Sequence, residues 1–312
     1  MIYTFELITA KGNVSFLQEF DQRLTWIKEK KYSFNFDILH EEKAEMGFVF
    51  LNLKGDSIDD VFRNEDIIYI FKHQLAEVLA EHIISDWELK LIEKEIFRRY
   101  KGVSAEDKKL IQQKAYGFLK KYNENESLNL FIRFSRKSRI SRKILDYISD
   151  KDVLILEGFV NFCLQDYMKE IRFAVDLAFE ELKNEKEYDE FIKLLRYLVD
   201  TQVPKVFEVN LMVGSDRDFY LWDEKGVQIK ESYLRHYLDD MLLDEVDLDD
   251  VLISILVTIA PRRIVFHNIE HLLGNEPFEM IKRVFKDKIE ICTGCERCYK
   301  YMREQEKDHW RS

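Results

Sequence analysis

Ten glycines and three prolines in 312 residues leave this chain few places to bend, and that scarcity limits its fold more than any motif does. Gly and Pro end helices and open tight turns, so a chain poor in both must put much of its length into helix. The window from Glu65 to Tyr100 contains neither. Within it Ile68, Phe71, Leu75, Val78, Leu79 and Ile83 recur at the spacing of one helical face. Ser85 followed by Glu88 has capping-box spacing, which predicts two helices meeting near Ser85. Ser104 and Asp107 mark another start before Leu110, Ile111, Phe118 and Leu119, and further helices are expected over 128–148, 158–183 and 187–201. Stripes of this kind face a core, so no chemistry is assigned to them.

The two ends have a different texture. Ile2 to Ile8 alternates like a strand, Val14 to Lys30 has helical spacing, and Ser33 to Leu39 and Phe48 to Leu53 alternate again, which predicts a small βαββ unit. After Pro204, Lys205 to Val213 and Asp218 to Trp222 alternate, and Asp223 to Gly226 supplies a turn into Val227-Gln228-Ile229, the pattern of a β-meander. Asp247 is placed to cap a helix that runs through Ala260 and stops at Pro261. Arg263 to His267, Glu276 to Phe285 and Lys288 to Cys292 then read as strand, helix and strand, a βαβ unit whose strands should be parallel and adjacent. The expected fold is helix-rich and mixed α/β (α+β): a small α+β unit over 1–56, a helical region over 57–203, and a C-terminal α/β unit over 204–312 with the meander and the βαβ unit.

At 46% hydrophobic residues the chain can bury a large core. Its first residues, Met1 to Glu6, lack the basic start and apolar core of a secretory leader. Val251 to Ala260 is about half the length needed to span a bilayer. The expectation is a soluble cytoplasmic protein with no membrane partner. A net charge of −11 opposes binding to nucleic acid or anionic lipid. There is no G-x-G-x-x-G, no P-loop and no G-x-S-x-G, and the seven histidines form no recognisable catalytic set, so no catalytic residue is assigned and the enzyme reading is disfavoured.

Three of the four cysteines stand at C-x2-C-x2-C spacing, Cys292, Cys295 and Cys298, around Thr293-Gly294. Thiolates three apart on a tight turn can converge on one metal, and the pattern admits zinc or an iron–sulfur cluster. Structural sites of both kinds take four ligands, so a fourth must come from elsewhere. His267 would share the carboxyl edge of the sheet with Cys292, where open α/β sheets bind ligands, and precedes His309 as the candidate. The plainer alternative stays open: thiols packed in a reducing compartment and an edge histidine bonded to backbone. Cys163, alone in an apolar helical stretch, fits that compartment. His267-Asn268-Ile269-Glu270-His271 matches H-x-x-E-H, but it follows a strand-like run rather than lying on a helix, which argues against a metalloprotease.

Two charge runs remain. Residues 133–143 hold six basic residues and no acid; Arg136, Arg139 and Arg142 are the candidates for holding nucleic-acid phosphates, against the reading of a helix face that pairs with surrounding acids. Asp239 to Asp250 carries seven acids in twelve residues without the glycine and spacing of a calcium loop, and reads as a solvated connection.

The segments Glu157 to Tyr167, Glu187 to Asp200 and Cys292 to Cys298 resemble the YtxC-like family of sporulation proteins in endospore-forming Firmicutes, a resemblance strongest from about residue 130 to 300. It implies a cytoplasmic, sporulation-associated protein and carries over no reaction, cofactor or catalytic residue. Three functions follow: a sporulation protein acting by capture of a protein partner, a metal-binding or redox-sensing protein built on the cysteines, and nucleic-acid binding through 133–143.

Overall fold

The computed structural model describes residues 3–10, 15–29, 34–43, 46–55, 63–121, 126–213, 219–229, 248–268 and 276–299. The chain forms two compact units, Met1–Lys183 and Asn184–Ser312, each with its own apolar cluster, and the fold is the expected helix-rich mixed α/β. The acidic run up to residue 247, its capping Asp247, His271 and His309 lie outside the described residues.

In the first unit β1 (Tyr3–Ala10), α1 (Phe16–Glu29), β2 (Phe34–Lys43) and β3 (Met46–Gly55) follow one another as the alternation predicts. The sheet order is β2-β3-β1-β4, and β4 (Val153–Ile155) pairs parallel with β1, Leu7 opposite Leu154. Alternation puts Phe5 and Leu7 on the covered face with Val49 and Leu51, all fully buried. Helices α2 (Asn64–His82), α3 (Glu88–Arg99), α4 (Ala105–Lys120), α5 (Glu126–Ser149), α6 (Leu156–Cys163) and the part of α7 (Gln165–Thr201) up to Lys183 complete the helical part. Ser104 caps α4 by accepting from the Asp107 amide.

The break expected at Ser85 takes another form. The chain stays helical through a π-turn, Ile83–Trp87, and Glu88 is buried, where it accepts from the Tyr167 hydroxyl at 3.0 Å instead of returning to a cap. The helix expected over 158–183 is divided at Leu164, whose backbone leaves the helical region. The gap expected between 183 and 187 is absent, because α7 continues through Thr201.

In the second unit the sheet order is β6-β5-β7-β8, built from β5 (Glu208–Val213), β6 (Phe219–Asp223), β7 (Arg263–His267) and β8 (Ile289–Ile291). β5 and β6 are antiparallel, whereas β5–β7 and β7–β8 are parallel. The third arm of the meander is reduced to a single bridge, Trp222 to Gln228. The helix Leu248–Ile259 stops before Pro261, with Ala260 in the left-handed region. Between β7 and β8 the helix Glu276–Phe285 turns Phe278, Ile281, Val284 and Phe285 inward, and Phe278 meets Phe266 edge-on at 4.9 Å. This crossover is the expected βαβ unit, and it brings the ends of β7 and β8 side by side.

Candidate metal centre

His267 is the last residue of β7, and the next residue, Asn268, takes a left-handed φ of 51°, a conformation Asn tolerates better than most residues. The chain therefore leaves the strand as soon as the imidazole has been placed. Because His267 stands on a strand and not on a helix, it cannot serve as the first ligand of an H-x-x-E-H helix. Next to it, the Cys292 amide donates to the Phe266 carbonyl at 2.8 Å, which extends the β7–β8 ladder by one bond and sets Cys292 beside the histidine.

From Cys292 the chain turns through Thr293 and Gly294. Gly294 has φ +120°, a region that an L side chain enters only with strain. Residues 296–299 then form a helical turn, with the Tyr299 amide donating to the Cys295 carbonyl at 3.0 Å. A tight turn followed by a helix start aims all three thiols toward β7. Cys292 Sγ lies 3.9 Å from Cys298 Sγ, and Cys295 Sγ lies 3.6 Å from it. The Nδ1 of His267 is 3.5 Å from Cys295 Sγ and 3.4 Å from Cys298 Sγ. All four ligand atoms lie within 4.8 Å of one another, a group that could hold a metal ion.

The imidazole is held from behind. Its Nε2 is 3.0 Å from Asn210 Oδ1; an amide oxygen only accepts, so Nε2 carries the proton and the Nδ1 lone pair faces the sulfurs. The Asn210 amide is oriented in turn by donating from Nδ2 to Glu208 Oε1 at 3.1 Å and to the Asp223 carbonyl at 3.5 Å. One face of the imidazole packs on Trp222, ring centroids 5.2 Å apart, and the Arg297 guanidinium lies over the same indole at 5.1 Å. Gly226 makes room for that arginine, since a Cβ there would come within 2.4 Å of the guanidinium.

Electrostatics suit metal ligation. Burial, with the nearby Arg297 charge, pushes the His267 pKa down and favours the neutral imidazole. Burial opposes ionisation of Cys295, but hydrogen bonds from the Cys298 and Arg297 amides and from neighbouring thiols outweigh it and hold this thiol below the usual range. Cys298, buried beside Cys295, is pushed up by desolvation. Cys163 belongs to the first unit, where it packs against the core.

The basic run is not one surface. Arg136 is 2% exposed and is paired with Glu170 at 3.0 Å and with Glu88 at 3.6 Å. Arg139 also pairs with Glu170, Arg133 and Lys137 with Glu81, and Lys143 with Asp166. Arg142 is exposed. Sequence reasoning missed Asn210, Trp222 and Arg297. The Asn at the third position of β5 was the available signal, because a polar residue inside an apolar alternation asks for a partner.

The family model of the YtxC-like family matches residues 73–290, well over half of the chain, and the chain belongs to that family. The match takes in His267, Asn210, Glu88 and Arg136 and stops short of the three clustered cysteines. The uncharacterized protein YtxC of Bacillus subtilis (strain 168) is 28% identical over 164 residues, which is 51% of this chain and 56% of that protein. The chain thus spans just over half the length of the curated relative it matches. No solved structure matches it. Among the described residues no helix is long and apolar enough to cross a membrane.

Proposed function

We propose that this member of the YtxC-like family is a zinc-binding protein whose ion is held by His267, Cys292, Cys295 and Cys298. The observation that carries the reading is the convergence of four ligand atoms within 4.8 Å. A tetrahedral zinc with ordinary bond lengths has edges of about 3.8 Å between sulfurs and about 3.6 Å between sulfur and nitrogen. Four of the six separations, 3.4 to 3.9 Å, already match those edges, and the other two lie within 4.8 Å. An iron–sulfur cluster would have to place inorganic sulfide and more than one iron between the ligands, and spacing this close favours a single ion. With all four positions filled by the protein, the ion has a structural role: it fastens the turn at 292–298 to the end of β7, and no position is open for substrate.

Elemental analysis of protein purified without oxygen or chelator tests the reading. One zinc per chain, lost in Cys298→Ser and retained in Cys163→Ser, is the expected result; a metal-free wild type, or equal zinc in both variants, would remove it. The resemblance to sporulation proteins supports a role for this zinc-bound form in spore formation through capture of a protein partner. A Cys298→Ser strain of a spore-forming host should then give fewer spores than its parent, and an unchanged yield would detach the site from that role.

A further inference from the structure

In the first unit a cavity of about 390 Å³ opens between the π-turn, the end of α4 and the start of α5. Its size falls in the range of small-molecule sites, and its apolar wall is Ile84, Tyr116, Leu119 and Leu130. The π-turn supplies Ile84 and Ser85 to its lining, next to Glu88, and such turns recur at functional sites.

The polar side of the cavity is unusual for a chain of net charge −11. Arg136 closes the floor against buried Glu88, and Lys120 and Arg133 stand exposed at the mouth. Lys120 lies over the Tyr116 ring at 4.3 Å. Arg133 spends one nitrogen on Glu81 at 2.8 Å, which leaves further N–H donors of its fork for another acceptor. Glu88 is occupied by the Tyr167 hydroxyl and by Arg136, so Glu126 is the remaining carboxylate among the lining residues. Two exposed cations at the mouth of one apolar pocket, Lys120 and Arg133, match a head group with more than one anionic oxygen better than a single charge.

We infer that the cavity between the π-turn, α4 and α5 binds a small organic phosphate, its head between Lys120 and Arg133 and its apolar body against Tyr116, Leu119 and Leu130. The site is independent of the zinc reading, since every residue in it belongs to the first unit. It also separates Arg133 and Arg136, which face the cavity, from Arg142, which lines neither it nor the neighbouring recess around Arg139 and Lys143.

Isothermal titration of the full chain with n-hexyl phosphate and with inorganic phosphate tests the assignment. Hexyl phosphate should bind, and inorganic phosphate should bind about tenfold more weakly because it lacks the buried methylenes. The double variant Lys120→Glu/Arg133→Glu should lose at least about tenfold in affinity through removal of two charge-assisted contacts, while Arg142→Glu binds as wild type. Leu130→Ser, at an exposed position of the wall, should weaken hexyl phosphate and leave inorganic phosphate unchanged. No binding of hexyl phosphate at millimolar concentration, no advantage of the hexyl chain, or equal losses in Arg142→Glu and the double variant would overturn the proposal. The last of these, accompanied by binding of a single-stranded oligonucleotide, would assign the basic run to a nucleic-acid backbone.

Discussion

His82 in the first unit and His267 in the second are alike by most measures. They are 4% and 5% exposed, each lies against a tryptophan, and burial pushes both pKa values down. They differ in where their nitrogens point. Trp87 Nε1 donates to His82 Nε2 at 3.1 Å, and His82 Nδ1 donates to Asp86 Oδ2 at 2.8 Å, so the protein uses the whole ring. His267 gives one nitrogen to Asn210 and turns the other toward sulfurs. Burial and a displaced pKa therefore do not distinguish a brace from a ligand. The distinguishing mark is a set of lone pairs aimed at one point.

Removing the proposed zinc should sharpen this contrast most. With free zinc ten-thousandfold above Kd, binding stabilises the unit that holds the site by about 5 kcal/mol. Chelator or Cys298→Ser should lower the melting of residues 184–312 and leave the other unit unmoved, as followed by calorimetry; equal shifts in both would break the comparison. Next comes Asn210→Leu, which frees the His267 ring. It should weaken zinc about ten- to hundredfold in a chelator competition while zinc still binds. His82→Phe should leave zinc content untouched, yet cost the first unit about 2 kcal/mol in urea titration, because the buried Trp87 N–H loses its acceptor.

Acidity gives the smallest effect. The folded His82 pKa is lowered, chiefly by burial and despite Asp86, so the unfolded chain takes up the proton first. Its contribution is present above the unfolded value of about 6.5 and is lost as pH falls below it, at no more than about 1.4 kcal/mol per pH unit. Asp86, whose pKa the Ser15 hydroxyl lowers, acts in the same direction further down, below its ordinary carboxylate range. Stability of the first unit should decline from pH 7.5 to 5.5, and His82→Gln should flatten that slope; an unchanged slope would mean that His82 does not titrate on unfolding.

The βαβ unit around the candidate metal centre was legible because its signals are local: a β-branched run, a strongly amphipathic helix, a second short run, and cysteines at turn spacing. Chain geometry then brings His267 to Cys292 without further information. Non-local features were not legible. Val153-Leu154-Ile155 is too short to read as a strand, and its partner lies 147 positions away, as Glu6 opposite Val153 shows. Glu88 looked like the end of a capping box because the residue that buries it, Tyr167, is remote in sequence. The uninterrupted α7 was hidden by its stretch from 183 to 187, where no side chain is buried and an amphipathic pattern has nothing to register. That the basic run 133–143 would pair with surrounding acids was legible from charge balance, but which acids they are, and that Arg136 is buried among them, was not.

The pairing of β1 with β4 also orders events on the ribosome. Tyr3 to Ala10 are made well before the strand that covers their free edge, which ends at Ile155. At about 5 to 20 residues per second of synthesis, that edge waits on the order of 7 to 30 s for its neighbour, long compared with the folding of a hairpin. During that interval the open edge of the nascent β1–β3 sheet is a template on which another strand can pair.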